Sequence, residues 1–121
     1  MSREAVVRQA FAAIDAMDPD KFVKHLTQDV VFRFGNAEPT VGRTSVQEAV
    51  SRFFASIAGM KHQIERVYEI GDAAVVQIEI EYTRKDGRRV TVPNADILTF
   101  EGELVRDWRI YIDVSPVYAD L

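Results

Sequence analysis

The 121-residue chain has no cysteine, so it can form neither a disulfide framework nor a thiolate metal site. It has no apolar run of membrane-spanning length, and its start, Met1-Ser2-Arg3-Glu4, shows no secretory signal. Acidic residues outnumber basic ones, and the net charge of −4 argues against nucleic acid, which a basic face normally binds. We therefore expect a cytoplasmic protein with no membrane partner and no nucleic-acid partner.

Sequence motifs for cofactors are also missing. There is no glycine-rich phosphate loop and no nucleophile elbow, and the two histidines are far apart without ligand spacing. We therefore expect no cofactor and no metal. What the chain does have, 47% hydrophobic and 28% charged residues, is enough to bury a core. Its length fits one domain over residues 1–121.

The first half of the chain shows mainly helical apolar spacing. Asp18 is a natural N-cap with Pro19 at the first helical position. Thr44 or Ser45 can cap a later helix that Gly59 ends. The predicted elements are helices over residues 3–16, from Asp18-Pro19 through about His25, and over 45–58, with a strand over 30–34 and a loop over 35–39.

From residue 61 the apolar period changes from that of a helix to that of a strand. Residues 73–83 alternate most sharply, and Lys85-Asp86-Gly87 supplies a hairpin turn. The predicted strands cover residues 61–70, 73–83, 88–100 and 103–114. This order predicts an α+β fold in which N-terminal helices pack on one face of a mostly antiparallel sheet, and Pro93 indicates a bend in it.

Asp96 is the most informative residue of the sequence, because it lies in phase with apolar residues such as Val92 and Leu98 on its strand. Burying an unpaired carboxylate is costly, so either its pKa rises or a hydrogen-bond donor lies close. Both outcomes suit an acid, a base or a donor to an oxyanion. In the alternative interpretation, backbone amides beside Pro93 satisfy Asp96, or a bulge turns it to solvent.

Two further polar residues are candidates for the same site. His62 is in phase with Ile64 and could assist Asp96 as a second acid or base, although such a residue is more often half-exposed at the start of a strand. Asn94, two residues before Asp96, is the other candidate for a group that points at the carboxylate. With Phe32, Phe34 and Phe54, among other phenylalanines, these residues predict a pocket for a hydrophobic ring compound bearing a carbonyl or hydroxyl.

The order of elements and several local strings resemble the nuclear transport factor 2-like superfamily, and within it the SnoaL-like family, over almost the whole chain. The resemblance implies a cone-shaped pocket, frequent homodimers through the sheet, and unrelated functions on one scaffold. It is carried by Asp29-Val30-Val31-Phe32, Val41-Gly42-Arg43, Val92-Pro93-Asn94-Ala95-Asp96-Ile97-Leu98-Thr99-Phe100-Glu101-Gly102 and Asp107-Trp108-Arg109-Ile110-Tyr111-Ile112-Asp113.

Asp96 matches the pocket aspartate of ketosteroid isomerase-like proteins, which donates to the substrate oxygen, and the base of SnoaL-like polyketide cyclases. The position of the isomerase base carries Phe34, and its oxyanion tyrosine falls near Ala10, so that mechanism lacks its proton carrier. The match to limonene-epoxide hydrolases implies that Ile110 faces the pocket, and Trp108, in phase with it, would lie over the cavity.

The same match counts against epoxide hydrolysis, because the water-activating residues of those enzymes are missing. Their tyrosine and asparagine positions match Phe32 and Phe34, and one catalytic aspartate falls on Ile110. Their arginine and second aspartate fall on Gln77 and Glu79, or on Ile78 and Ile80 if the hairpin shifts by a residue.

The sequence therefore predicts a SnoaL-like protein that binds a hydrophobic small molecule, with Asp96 as acid, base or oxyanion donor in an isomerase, cyclase or dehydratase. Two alternatives stay open. A binding protein without chemistry would have a roomy cavity and no second polar group near Asp96. A dimerisation module with a vestigial pocket would have a cavity collapsed onto Phe34 and Phe54.

Overall fold

The chain forms four helices and six strands within residues 2–121, which are the residues that the computed structural model describes. The elements in chain order are α1 (Arg3–Asp15), α2 (Pro19–Val23), β1 (Leu26–Phe34), β2 (Thr40–Val41), α3 (Arg43–Ala55), β3 (Gly59–Ile70), β4 (Ala73–Thr83), β5 (Arg89–Glu101), β6 (Leu104–Ile112) and α4 (Ser115–Tyr118). The predicted α+β arrangement, with the N-terminal helices on a mostly antiparallel sheet, is confirmed.

All six strands belong to one curved sheet in the order β2-β1-β6-β5-β4-β3. The last four strands form the predicted antiparallel meander. The first strand, β1, pairs in parallel with the last strand, β6, and places Phe32 beside Trp108. This parallel pair places the first strand beside the last, and β5 then lies near the middle of the sheet.

Pro93 lies within β5 and does not interrupt its pairing with β4. It stays in register opposite Glu79 on β4, and the pairing of β5 with β6 starts only at Asn94. The missing proline N–H is therefore at a position that has no β6 partner. The ladder is irregular elsewhere, between Ile64 and Arg66 and between Thr99 and Phe100. Such bulges bend a strand and increase its twist.

The core lies between the helices and one face of the sheet. Alternation along β4 predicts its buried face correctly, since each residue of that face is at most 1% exposed. The strand register shows which residues of the neighbouring strands share this face. Ile80 lies opposite His62 on β3 and opposite Val92 on β5. The buried residues of β4 are Ala74, Val76, Ile78, Ile80 and Tyr82.

The helix ends depend on caps, of which the sequence revealed only some. Asp18 caps α2 as predicted, with its carboxylate accepting from the Lys21 N–H at 3.1 Å. Helix α3 starts instead at Arg43 after Gly42, which has a φ of +95° and makes no side-chain cap, so Thr44 and Ser45 lie within its first turn. The longest helices have 13 residues, and none within residues 2–121 is long and apolar enough to cross a membrane.

Several boundaries differ from the predictions, and three of them change which residues belong to which element. Strand β1 begins at Leu26, α3 ends at Ala55, and Gly59 starts β3 instead of ending the helix. The two-residue strand β2 and the short C-terminal helix α4 were not predicted. Both are too short to show an apolar period, and they form through contacts with distant residues. Val31 pairs with β2, and the hydroxyl of Tyr118 in α4 lies 2.8 Å from that of Ser56.

Candidate functional site

A cavity of about 180 Å³ lies between the helices and the buried face of the sheet. Its walls are mostly apolar, and its polar side chains come from β3, β4, β5 and the segment before α3. An apolar cavity of roughly 150 Å³ holds a benzene molecule, so this one has room for a substituted ring. Phenylalanine and isoleucine side chains form much of the wall, namely Phe22, Phe32, Phe34, Phe53, Phe54 and Ile110.

Asp96 is 1% exposed and lies at the polar end of this cavity. Its Oδ2 accepts a hydrogen bond from Trp108 Nε1 at 2.9 Å, and its Oδ1 accepts one from Asn94 Nδ2 at 2.8 Å. Burial raises the pKa of Asp96 to about 6, opposed by the Trp108 hydrogen bond, the charge of His62 and the Asn94 hydrogen bond. Side chains, not backbone amides or solvent, therefore satisfy this carboxylate.

Trp108 does not line the cavity, contrary to the expectation that its indole lies over it. The side chain is fully buried, and its ring meets those of Phe11 and Phe22 edge-on at 5.4 and 5.2 Å. The strand phase gave the correct face of β6, but α1 and α2 cover that part of the face. Trp108 therefore donates its hydrogen bond to Asp96 without lining the cavity. Ile110, two residues further on, does line the cavity.

His62 also lines the cavity, and its side chain is 5% exposed, so it is not the half-exposed residue that a strand start usually carries. Its Nδ1 lies 2.5 Å from Asp15 Oδ1. Its backbone N–H also points at that carboxylate, at 3.0 and 3.1 Å from the two oxygens. The ring packs 4.8 Å from that of Phe11. The imidazole is therefore held on two sides.

Asp15 was missed by the sequence analysis, although a signal was present. It is the last residue of α1, where the negative end of the helix dipole disfavours an acidic side chain. A hydrogen-bond donor close in space stabilises an aspartate at such a position, and here the donor is His62 on β3. The pairing joins residues 47 positions apart, so only the tertiary structure reveals it.

Asn94 points at Asp96, as the sequence analysis had considered. The residue is 8% exposed, and its amide nitrogen must be the atom that faces the carboxylate, since a carboxylate accepts hydrogen bonds. Its amide oxygen is enclosed and has no hydrogen-bond partner within residues 2–121. Tyr82, on the buried face of β4, also lines the cavity. Burial and then the charge of Asp96 raise the pKa of its phenol, which stays neutral.

The remaining candidates fall into place around these polar groups. Phe32, Phe34 and Phe54 line the cavity, and the Phe34 ring lies 5.0 Å from that of Phe53. The cavity has a volume of about 180 Å³ and is not collapsed onto Phe34 and Phe54, as a vestigial pocket was expected to be. Within residues 2–121 no group of three or more histidine, cysteine, aspartate or glutamate side chains could hold a metal ion.

Comparisons with known proteins agree with this architecture. The family model of the SnoaL-like domain matches residues 7–108, and no curated protein matches the chain. A protein with a ketosteroid isomerase-like fold from Catenulispora acidiphila, crystallised with trimethylamine, is 22% identical, with 94% of this chain and 89% of that chain covered and a TM-score of 0.86.

Two further solved structures carry the names of enzymes. A protein from Jannaschia sp. described as a SnoaL-like polyketide cyclase is 19% identical, covering 96% of this chain and 88% of its own, with a TM-score of 0.83. An epoxide hydrolase from Mycobacterium tuberculosis is 18% identical, covering 96% and 86%, with a TM-score of 0.81. Similarities at this level of identity establish the fold and leave the chemistry to be argued from the site.

Proposed function

The chain belongs to the SnoaL-like domain family, and from that premise we propose that it binds a small apolar ring compound and moves a proton on it, as an isomerase, cyclase or dehydratase. The observation that carries this proposal is that two proton-handling side chains, Asp96 and His62, line the same apolar cavity. The similarity to a protein described as a polyketide cyclase supports the same class of chemistry.

The state of Asp96 supports a role in proton transfer. With a pKa raised by burial to about 6, both the acid and the carboxylate are populated near neutral pH. The acid can donate to a carbonyl oxygen, and the carboxylate can accept a proton from carbon. His62 supplies a second group with the same two options. A cavity intended only to hold an apolar ligand would be more stable without either group.

The size of the cavity limits the ligand. At about 180 Å³ it is slightly larger than a cavity that holds benzene, at roughly 150 Å³, which favours one substituted ring or two small fused rings. The polar end around Asp96 and Asn94 suits a carbonyl or hydroxyl on that ring. We therefore propose compact cyclic ketones and related hydroxylated rings, and not four-ring steroids, as the substrate class.

In the proposed reaction, one of the two groups removes a proton from the carbon next to the carbonyl. The C–H electron pair becomes part of an enolate, whose oxygen is hydrogen-bonded by the other group. In a β,γ-unsaturated ketone, returning the proton to the γ-carbon completes an isomerisation. In a β-hydroxy ketone, the C–O bond breaks as the double bond forms, and the hydroxyl takes the abstracted proton and leaves as water. Epoxide hydrolysis is disfavoured, because Phe32, Phe34 and Ile110, where that chemistry needs polar side chains, form apolar wall.

We also propose that the chain forms a homodimer through the outer face of its sheet. Register aligns Gln77, Ala95 and Tyr111 across three strands of that face, and Tyr111 is 58% exposed. In the row beside it, Val75, Ile97 and Arg109 are aligned in the same way. Five of these six positions carry uncharged side chains, and the charge of the sixth, Arg109, is paired with Asp107 on the same strand. Such an exposed sheet face is suited to pairing with a second copy.

Proton exchange provides the test of the proposed chemistry. A panel of one-ring, two-ring and four-ring ketones is screened for thermal stabilisation, and each ligand is then followed by NMR in D₂O for exchange of the protons next to its carbonyl. The proposal expects exchange that is lost in Asp96→Asn or His62→Gln. Ligands that stabilise the protein while no exchange occurs would contradict an enzyme and leave a binding protein.

A further inference from the structure

The contact between Asp15 and His62 has the geometry of a positioning pair. One carboxylate accepts from both the ring Nδ1 and the backbone N–H of the same residue, at 2.5 to 3.1 Å. The Asp15 side chain is 27% exposed and the His62 side chain 5%. The pair therefore lies at the junction of α1 and β3 with its imidazole inside the protein and its carboxylate nearer the surface.

This contact fixes which ring nitrogen faces the cavity. A carboxylate can only accept, so in the neutral ring the proton lies on Nδ1 and the lone pair on Nε2. No residue in the described range 2–121 hydrogen-bonds to Nε2, which is also absent from the enclosed polar atoms that lack a partner. Since His62 lines the cavity, Nε2 is the nitrogen that a bound ligand can reach.

The surroundings of His62 favour a proton on Nε2 once a ligand supplies one. The Asp15 carboxylate on α1 contacts the ring, and Asp96 on β5 lines the same cavity and interacts with His62 through its charge. Burial, and then the charges of Asp96 and Asp15 among others, raise the pKa of the nearby Tyr82 phenol on β4. The apolar surroundings favour the neutral acid form of Asp96. The Asp15 carboxylate beside Nδ1 is then the negative partner of the imidazolium that forms when Nε2 takes a proton.

We propose that Asp15 is a positioning residue that makes His62 the proton acceptor of the cavity, while Asp96 in its acid form binds the substrate oxygen. The inference rests on the proposed function and assigns the roles that it left open. The C–H bond next to the carbonyl breaks, its proton goes to Nε2, and its electron pair forms an enolate whose oxygen accepts a hydrogen bond from Asp96. Return of the proton from Nε2 to carbon restores the neutral ring.

The geometric half of the proposal is tested without any substrate. Long-range ¹H–¹⁵N NMR of the labelled protein distinguishes the two neutral tautomers, and a His25→Gln variant assigns the two histidines. We expect the Nδ1–H tautomer for His62 in the unmodified chain. In Asp15→Ala the ring loses its acceptor, and a shift toward Nε2–H is expected. The unchanged tautomer in Asp15→Ala would overturn the proposal.

The catalytic half is tested by the proton exchange assay. Asp15→Ala should lower the exchange rate of a bound ketone about ten- to a hundredfold, a fraction of what a complete acid–base group contributes. Its affinity for the ketone should change less than about threefold, since Asp15 does not line the cavity. Asp15→Asn, whose amide oxygen can still accept from Nδ1, should recover part of the rate. Glu4→Gln on the same helix is the matched control.

Each outcome has a separate meaning. A changed tautomer with an unchanged exchange rate would overturn the role of Asp15 in catalysis. A loss of affinity as large as the loss of rate would make Asp15 a structural residue, a result that melting temperatures of both Asp15 variants would support. If the unmodified chain exchanges no ketone while Asp15→Ala changes the tautomer, the proposed function fails, and with it the catalytic half of this inference, while the pairing itself stands.

Discussion

The indole N–H of Trp108 donates to the carboxylate of Asp96 at 2.9 Å inside the core. Both residues are at most 1% exposed, and the indole, which does not line the cavity, has the Asp96 carboxylate as its partner. Asp96 and Trp108 belong to neighbouring strands, and the pair Leu98–Trp108 sets their register. Burial raises the pKa of Asp96, and a residue that does not line the cavity therefore opposes this rise.

Replacing Trp108 with Phe should raise the pKa of Asp96 above its value of about 6. The hydrogen bond from Trp108 is the largest of the interactions that lower this pKa, and phenylalanine keeps the ring but has no donor. The pKa is measured by ¹³C NMR titration of the carboxyl. Because a buried acceptor loses its partner, we also expect a loss of about 1–3 kcal/mol in stability.

Tyr111→Phe is the control for that substitution, since Tyr111 is exposed on the outer face of the sheet. It should leave the Asp96 titration unchanged. A pKa of Asp96 that stays the same or falls in Trp108→Phe would show that the indole does not hold the carboxylate in solution.

The buried carboxylate should also make stability depend on pH in an unusual direction. The folded pKa of about 6 exceeds the unfolded value of 3.8, so the folded state binds the proton more tightly. The contribution of Asp96 is then most favourable below pH 3.8 and is lost as pH rises from there to about 6. The two values differ by an amount that corresponds to about 3 kcal/mol.

Asp96→Asn removes this dependence. Urea unfolding is measured at about pH 4 and at about pH 7. Between these conditions, the free energy of unfolding of the variant should rise by up to about 3 kcal/mol relative to that of the unmodified chain. Asp113→Asn is the matched control, and its change should have the opposite sign, because hydrogen bonds from Ser115 lower the pKa of Asp113. An Asp96→Asn difference that does not grow with pH would mean that the carboxylate is hydrated.

Local patterns predicted much of the fold and part of the site. Alternation along β4 and the phase of Asp96 on β5 gave the buried face correctly, because a strand period of two depends only on neighbouring residues. The strand period does not tell whether a residue on the buried face lines the cavity or is covered by a helix. Trp108 was expected at the cavity but is covered by α1 and α2, and its role as the donor to Asp96 follows only from the strand pairing.

Contacts between distant elements could not be predicted in the same way. The pairing of Asp15 with His62 joins the end of a helix to a strand, and no local period encodes it. The start of α3 was misassigned because Gly42 turns the chain through a positive φ, where a side-chain cap had been expected. Resemblance supplied the overall arrangement, and the departures at Phe32, Phe34 and Ile110 showed which chemistries to disfavour.

Filling the cavity should block ligands without unfolding the protein. Ile110→Trp adds volume at a wall position that is half-buried. Because this position is partly open to solvent, the structure can accommodate the larger side chain by a displacement toward solvent. We expect affinity for ring ketones to fall at least about tenfold, with stability changed by less than about 1.5 kcal/mol. Leu104→Trp, at an exposed end of the same strand, is the control and should bind normally.

Isothermal titration with the best ketone from the screen gives the affinity, and urea unfolding gives the stability. Undiminished affinity in Ile110→Trp would place the ligand outside this cavity. That result would contradict the proposed site even if the ketone still stabilised the protein.

The dimer proposed for the outer face makes a prediction about assembly. Tyr111→Lys places a charge at the β6 end of the row that Tyr111 forms with Gln77 and Ala95. A second copy packed on this face would have to bury that charge without a partner, which is costly. Sedimentation velocity should show a dimer for the unmodified chain and a shift toward monomer for the variant. The cavity lies on the opposite face, so binding of a ketone should persist in the monomer. Leu104→Lys is the charge-matched control and should stay dimeric. An unmodified chain that sediments as a monomer at all concentrations would reject the dimer, and a dimer that Tyr111→Lys leaves intact would move the interface to another surface.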